Sequence, residues 1–250
     1  MTYAPLVPHG DPPRYFTFPS LTALRVAHAT TTRHFDGATP FRDPSGPFRL
    51  EGTSGLDDAG IDLSRAAYAR QMHGAAVAEL TGGGFAGEVD VLATKSPGVP
   101  LAIFTADCLA VTLYDADARA LVLAHVGWRG TVRGAPQSAV AALERVGGRA
   151  GRTLATIAPS IGPCCYEVDE PVIGDFAERY PGRWDRWVAS AGPGHWMLDL
   201  WTANEELLMS AGVARERIET ARLCTACNAD LLFSYRKGNR GRLVTVAALP

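Results

Sequence analysis

The chain has 250 residues, 47% of them hydrophobic, and a formal net charge of −2, enough apolar material for one large or two small domains with a buried core. That charge balance gives no reason to expect nucleic acid or an anionic membrane surface as a partner. No apolar run approaches the roughly 18–20 residues needed to span a bilayer, and "MTYAPLVPHGDPPRYF" lacks a secretory pattern, so a soluble, cytoplasmic protein is expected.

The first 20 residues carry five of the 17 prolines and no periodicity, which predicts an irregular arm over residues 1–20 followed by a single domain over 21–250. "FRDPSGPFRLEGTSGLDDAG" (41–60) reads as a turn-rich surface loop, and "LSRAAYARQ" (63–71) as a short helix. "VAEL" and "VDVLAT" read as brief strands. The apolar runs 101–107, 109–114 and 120–126 are typical of buried strands. Helical periodicity then takes over from Thr131 to Val146, where Pro136 must sit in the first turn or kink the helix. "TLATIAPSIG" is a strand entering a loop, and "DEPVIGDFAERY" begins a helix with Pro171 in its first turn. "DLWTANEELLMSAGV" is an amphipathic helix with Asp199 as cap and Gly212 as stop. "RIETARL" and "RLVTVAAL" close with strands. The pattern is that of one α/β domain built from sandwiched sheet and helix layers.

Two formal motifs lose to plainer readings. "GGGFAG" (82–87) matches a dinucleotide fingerprint, but the β-rich, Pro-broken segment after it cannot open the required helix; a glycine-rich hairpin or loop is expected. "CTAC" (224–227) is a single C-x-x-C, for which a structural zinc site needs a second ligand pair. The remaining cysteines, Cys164 and Cys165, are adjacent, and on extended backbone they point opposite ways. The default is therefore a pair of small, inert thiols in a loop followed by a short strand. Five cysteines, an odd and sparse number, argue against a disulfide framework and fit a reducing compartment.

The informative stretch is "FTADCLAVTLYDADARALVLAHVGWRG" (104–130). With "DADA" (115–118) as the turn, Tyr114 faces Arg119 and Cys108 falls directly opposite His125. Cross-strand neighbours have Cβ atoms about 4.5–5.5 Å apart, close enough to share one zinc ion through a sulfur and a ring nitrogen. Of the six histidines, His73 in "RQMHGAAV" is the best-placed third ligand. His73, Cys108 and His125 would leave a fourth position open, the layout of a catalytic rather than a structural zinc. Asp107 stands where it could orient a ligand or shuttle a proton; its plainer role is a turn carboxylate. Arg129, between Gly127 and Gly130 where a strand gives way to a helix, offers a bidentate fork for an anion, unless it merely pairs with an acid.

"RQMHG", "TADC", "AHVGWRG", "LDLWTANEELL" and "CTACNADLLFSYRKG" together resemble the bacterial laccase-domain proteins, first called multicopper polyphenol oxidases and now regarded as zinc-dependent purine nucleoside phosphorylases. The resemblance runs from about His28 to residue 250. It implies a layered α/β (α+β) sandwich with mixed sheets covered by helices, and zinc on His73, Cys108 and His125. It also implies phosphorolysis of adenosine, inosine, guanosine and methylthioadenosine, with adenosine deamination as a side activity. Two departures stand out. The family's S-T-R-x-G-G-V-S and S-L-N-L-G stretches are reduced here to "HATTTRHFDGA", so the segment between Arg33 and His73 is shortened or altered, and "SYRKGNRGR" lacks the family's longer arginine–glycine spacing.

For phosphorolysis, a phosphate must be held beside an oxocarbenium-like centre, and Arg129 with Arg33 are the expected clamps. Three rivals stand beside this reading. A copper laccase would need histidines in H-x-H pairs, and none occurs; a lone blue-copper site would want an axial methionine. A metal-free cysteine hydrolase would use Cys108 as nucleophile and His125 as base. The third rival is a non-catalytic binding module.

Overall fold

The computed structural model describes residues 5–35 and 56–250. The chain opens with strands β1 (Val7–His9) and β2 (Tyr15–Thr17), helix α1 (Pro19–Ala23) and β3 (Ala27–Thr31). Residues expected to form an irregular arm thus carry two paired strands. Tyr15, Phe16 and Phe18 are buried and anchor them, while the prolines at 12 and 13 fall in the turn between. Most of the expected loop at 41–60 lies outside the described residues; within them, Asp57–Ala59 forms one 3-10 turn.

The expected helix at 63–71 is a 3-10 turn at Leu63–Arg65, running into β4 (Ala67–Tyr68). Asp62 caps that turn by accepting from the Ser64 N–H at 3.0 Å. The following alanines then pair and bury in a sheet, a tertiary gain that overrides local helix preference. β5 (Val77–Leu80), β6 (Gly84–Phe85) and β7 (Val91–Thr94) follow. β6 lies in the glycine-rich segment, and a strand rather than a helix comes after it, so the dinucleotide fingerprint fails on structure as well.

β8 (Leu101–Thr105), β9 (Leu109–Asp115) and β10 (Ala120–Val126) are buried throughout, as strands covered on both faces should be. Their hairpin differs from the expected register by two residues. Asp115 pairs with Ala120 and His125 with Ala110, not with Cys108. The turn is 116–119: Asp115 stays in the strand and its carboxylate accepts from the N–H groups of Asp117 and Ala118, while Arg119 takes a left-handed φ of 50°. A two-residue slip preserves the face, so Cys108 and His125 remain on the same side of the sheet.

The expected helix from Thr131 is two helices, α2 (Trp128–Val132) and α3 (Ala135–Arg145), separated by Gly134 at φ 83°. That left-handed backbone breaks the periodic run, and Pro136 sits in the first turn of α3. β11 (Leu154–Ile157), β12 (Glu167–Asp169), α4 (Glu170–Arg179), β13 (Val188–Gly192), β14 (His195–Leu198), α5 (Leu200–Ser210), β15 (Ile218–Thr220) and β16 (Leu243–Ala248) complete the order. Asp199 caps α5 as expected, accepting from the Thr202 N–H at 3.0 Å. The short strand expected after "CTAC" is not formed; residues 225–230 are a turn.

The strands assemble into a seven-stranded sheet, β1-β2-β3-β16-β8-β4-β6, a six-stranded sheet, β15-β11-β9-β10-β7-β5, and a three-stranded one, β12-β14-β13. Both large sheets mix parallel and antiparallel pairs. Phe16, Leu101, Ile103 and Leu243 from the first sheet share a core with Leu92, Tyr114, Leu121 and Leu123 from the second. The opposite face of the six-stranded sheet packs on α3 and α5 through Val122, Ala124, Val140, Leu143 and Leu207. This is the layered α/β sandwich of mixed sheets and helices. His125 alternates with Ala124 and Val126 and therefore points toward the gap between the two large sheets, at the end of its strand.

Candidate metal-centred active site

His73, Cys108 and His125 each offer a ligand atom, and the three atoms lie within 4.8 Å of one another. His125 is the fixed member, 2% exposed at the end of β10. Its Nδ1 lies 2.8 Å from Oδ1 of Asp90, which places the ring proton on Nδ1 and leaves Nε2 for the thiol side. Cys108 is half-buried, one residue before β9. His73 is exposed on the segment before β5, with its ring 4.8 Å from that of His125 and nearly perpendicular to it at 82°.

Asp90 organises both histidines. Fully buried, its carboxylate also accepts from the backbone N–H groups of Met72 at 3.1 Å, His73 at 2.9 Å and Gly74 at 2.7 Å. These bonds hold His73 in a left-handed backbone with φ 56°, a conformation that costs energy for a residue with a side chain. Arg133 adds a bond to the His73 carbonyl at 3.0 Å. Burial alone would raise the Asp90 pKa, but the bonds from His125, Gly74 and Met72 outweigh it and hold the carboxyl below its ordinary value.

Burial also pushes the Cys108 thiol up, yet the adjacent His125, and then His73, bring it down to about 6. Conversely His125, which burial would lower, is raised to about 9 by Cys108 and Asp90. A thiol that ionises near neutral pH can act as a metal ligand or as a nucleophile. The donor set of two imidazoles and one thiolate, with one ring braced by a buried carboxylate, fits a zinc ion with an open position. The close packing of Gly127 fits too: a Cβ there would come within 2.8 Å of the Cys108 Sγ and 3.4 Å of the His73 Cδ2.

A family model described as "Multi-copper polyphenol oxidoreductase laccase" matches residues 53–250. The chain belongs to this laccase family. It is 34% identical to the purine nucleoside phosphorylase of Deinococcus radiodurans over 94% of this chain and 95% of that one. It is 33% identical to adenosine deaminase RL5, from an unknown prokaryotic organism, over 63% of this chain and 61% of that one. The fold matches the crystal structure of the hypothetical protein YfiH from Bacillus licheniformis with a TM-score of 0.84 and 27% identity, covering 99% of this chain and 100% of that one.

In this laccase-family chain the other expected site residues take distinct places. Asp107, 8% exposed with φ 89°, turns its carboxylate to the Thr225 hydroxyl at 2.6 Å and the Arg236 backbone N–H at 2.7 Å. The carboxylate that touches a histidine of the trio is instead Asp90. Arg129 is exposed on α2 with its guanidinium 4.3 Å from the Trp128 ring, and no carboxylate pairs with it among the described residues. Arg33 lies over the Phe233 ring at 5.4 Å and donates to the Ala229 carbonyl; no described contact joins it to the trio.

Three further residues escaped the sequence reading. Asp90 had one signal, an acid opening the apolar run "VDVLAT". Arg236 stands in the "SYRKG" stretch that carries the family resemblance, without a role of its own, and Tyr166 had no signal. Burial and then the Cys108 charge push the Tyr166 hydroxyl above its usual pKa, with Arg236 and Arg129 acting the other way. Arg236 lies 5.3 Å over the Tyr166 ring.

Gly127 offers a clean test of the crowding. Its φ of −89° suits any residue, so Gly127→Ala should fold normally. The new methyl must push the short Cys108 side chain aside, and metal affinity should fall by about 10-fold, within the range seen when a ligand's support is disturbed. Titration with a competing chelator measures this. An unchanged affinity would place the thiol outside the coordination set.

Proposed function

We propose that this chain is a zinc-dependent purine nucleoside phosphorylase, with adenosine deamination as a side activity, in one catalytic unit that takes in strands β1 and β2 from the first 20 residues together with residues 21–250. The observation that carries the reading is the convergence of His73, Cys108 and His125 on one point, braced through Asp90. The names of the Deinococcus relative and of RL5 support the two activities.

A zinc ion on the trio would supply a Lewis acid and lower the pKa of a water to about 7. Around it, Arg129 is the clamp for phosphate, since its fork is exposed and lacks a carboxylate partner among the described residues. Tyr166, kept protonated by burial, serves as a hydroxyl donor. Asp107, next to Cys108 in sequence, holds the Thr225 and Arg236 segment and is the candidate carboxylate for proton transfer in deamination. Arg33 would join the phosphate site only by leaving the Ala229 carbonyl.

The histidine supply supports one metal ion here rather than a multicopper centre. His28 bonds the Phe18 N–H and the Val26 carbonyl, His9 bonds Thr17, and His195 pairs with Glu167. A metal-free hydrolase using Cys108 and His125 is the second reading, favoured by the lowered thiol pKa. No helix among the described residues is long and apolar enough to cross a membrane, and five free thiols support a reducing, cytoplasmic setting.

The deciding experiment incubates the protein with adenosine, inosine, guanosine and methylthioadenosine, with and without phosphate, before and after chelation. Phosphate-dependent ribose-1-phosphate that disappears on chelation and returns with zinc is the expected result. Full activity after metal removal would replace it with the thiol hydrolase.

A further inference from the structure

We infer that Cys164, Cys165, Cys224 and Cys227 form a second metal site, a tetrathiolate for one thiophilic divalent ion of the zinc class, separate from the trio. The four sulfurs lie within 4.8 Å of one another. Cys227 Sγ is 3.4 Å from both Cys164 Sγ and Cys165 Sγ. A tetrahedron with metal–sulfur bonds of about 2.3 Å has sulfur–sulfur edges of roughly 3.8 Å, so small side-chain rotations bring the cluster to that geometry.

Adjacent cysteines point apart on an extended backbone. Here residues 163–165 form a turn in which the N–H groups of Cys165 and Tyr166 both donate to the Gly162 carbonyl, at 3.0 and 3.1 Å. That turn places both thiols on the same side. The "CTAC" half is folded to match: Cys224 forms a β-bridge with Ser160, and the Asn228 N–H and side chain both bond its carbonyl. The Gly162 N–H donates to Cys224 Sγ at 3.2 Å, a bond of the kind that supports a metal-bound thiolate.

A disulfide accounts for the cluster less well. Its sulfurs must approach to about 2.05 Å, whereas Cys227 is shared equally between two partners, and a single bridge would leave the other two thiols crowded against it. A common ion satisfies all four. Tetrahedral S4 coordination selects zinc or iron among common metals, and no catalytic position is left open, so the role is structural. The ion would clip the 160–166 stretch to the 224–228 stretch, and so tie Tyr166 to Thr225, the partner of Asp107.

The test uses the full chain purified without chelator under reducing conditions. Metal content is measured, followed by cobalt reconstitution and visible spectroscopy. Wild type should hold an ion at each of the two clusters. Cys227→Ser should lose one equivalent together with most of the thiolate–cobalt intensity, leaving only the weaker bands of the single Cys108 thiolate, whereas His73→Ala should lose the other equivalent and keep the intense tetrathiolate bands. The His73→Ala spectrum needs no cysteine variant to fold, and it survives failure of the phosphorylase reading, because with the trio disabled the intense bands come from the four-thiol cluster. Absence of tetrathiolate bands in His73→Ala, or a Cys164–Cys227 disulfide in the reduced preparation, overturns the inference.

Discussion

Cys108→Ser should strip the trio of its metal and abolish nucleoside turnover together. Serine is nearly isosteric, but its hydroxyl stays protonated where the thiol, at about 6, ionises. Losing a supporting group around a metal typically costs about 10–100-fold in affinity, and losing the soft ligand itself should exceed the upper end of that range. Metal per chain and ribose-1-phosphate production are the paired measurements, with thermal unfolding as the control for folding. The pairing separates the rivals. Loss of turnover with wild-type metal content would make Cys108 a nucleophile rather than a ligand, and retained turnover would remove it from the chemistry.

The second large effect is expected at Asp90. Its Oδ1 accepts from the His73 N–H and the His125 ring, and its Oδ2 from the N–H groups of Met72 and Gly74. In Asp90→Asn, one of those oxygens becomes an NH2 facing two donors, whichever way the amide turns. Each buried group left unsatisfied costs roughly 1–3 kcal/mol, so a loss on the order of 3 kcal/mol is expected. For a domain of this size that corresponds to a fall in Tm of about 6–12 °C. Metal affinity should drop by about 10–100-fold at the same time. A variant that loses stability while keeping its affinity would mark Asp90 as a purely structural brace for residues 72–74.

Much of this site could be read from residue order, and the gaps have physical causes. The hairpin bearing Cys108 and His125 was legible because two apolar runs flank a polar turn. Its register was not, because nothing in "DADA" announces that Asp115 stays in the strand and caps the turn from there. The face survived the slip, so the trio did too. Asp90 was missed because its value lies in four donors contributed by segments far apart in sequence. "LSRAAYARQ" was misread because its alanines favour a helix in isolation, whereas the neighbouring strand decides otherwise. The four cysteines were set aside for a rule about extended backbone that a single turn overrides.

The position of β16 has a consequence for how the protein is made. Residues 243–248 are wedged between β3 and β8, each paired along its length with the newcomer. A ribosome-bound product that stops short of this stretch keeps β3 and β8 as bare edges with unsatisfied backbone groups, the kind that recruit foreign strands. Synthesis therefore passes through an aggregation-exposed interval that ends only when one late segment zips the two halves together.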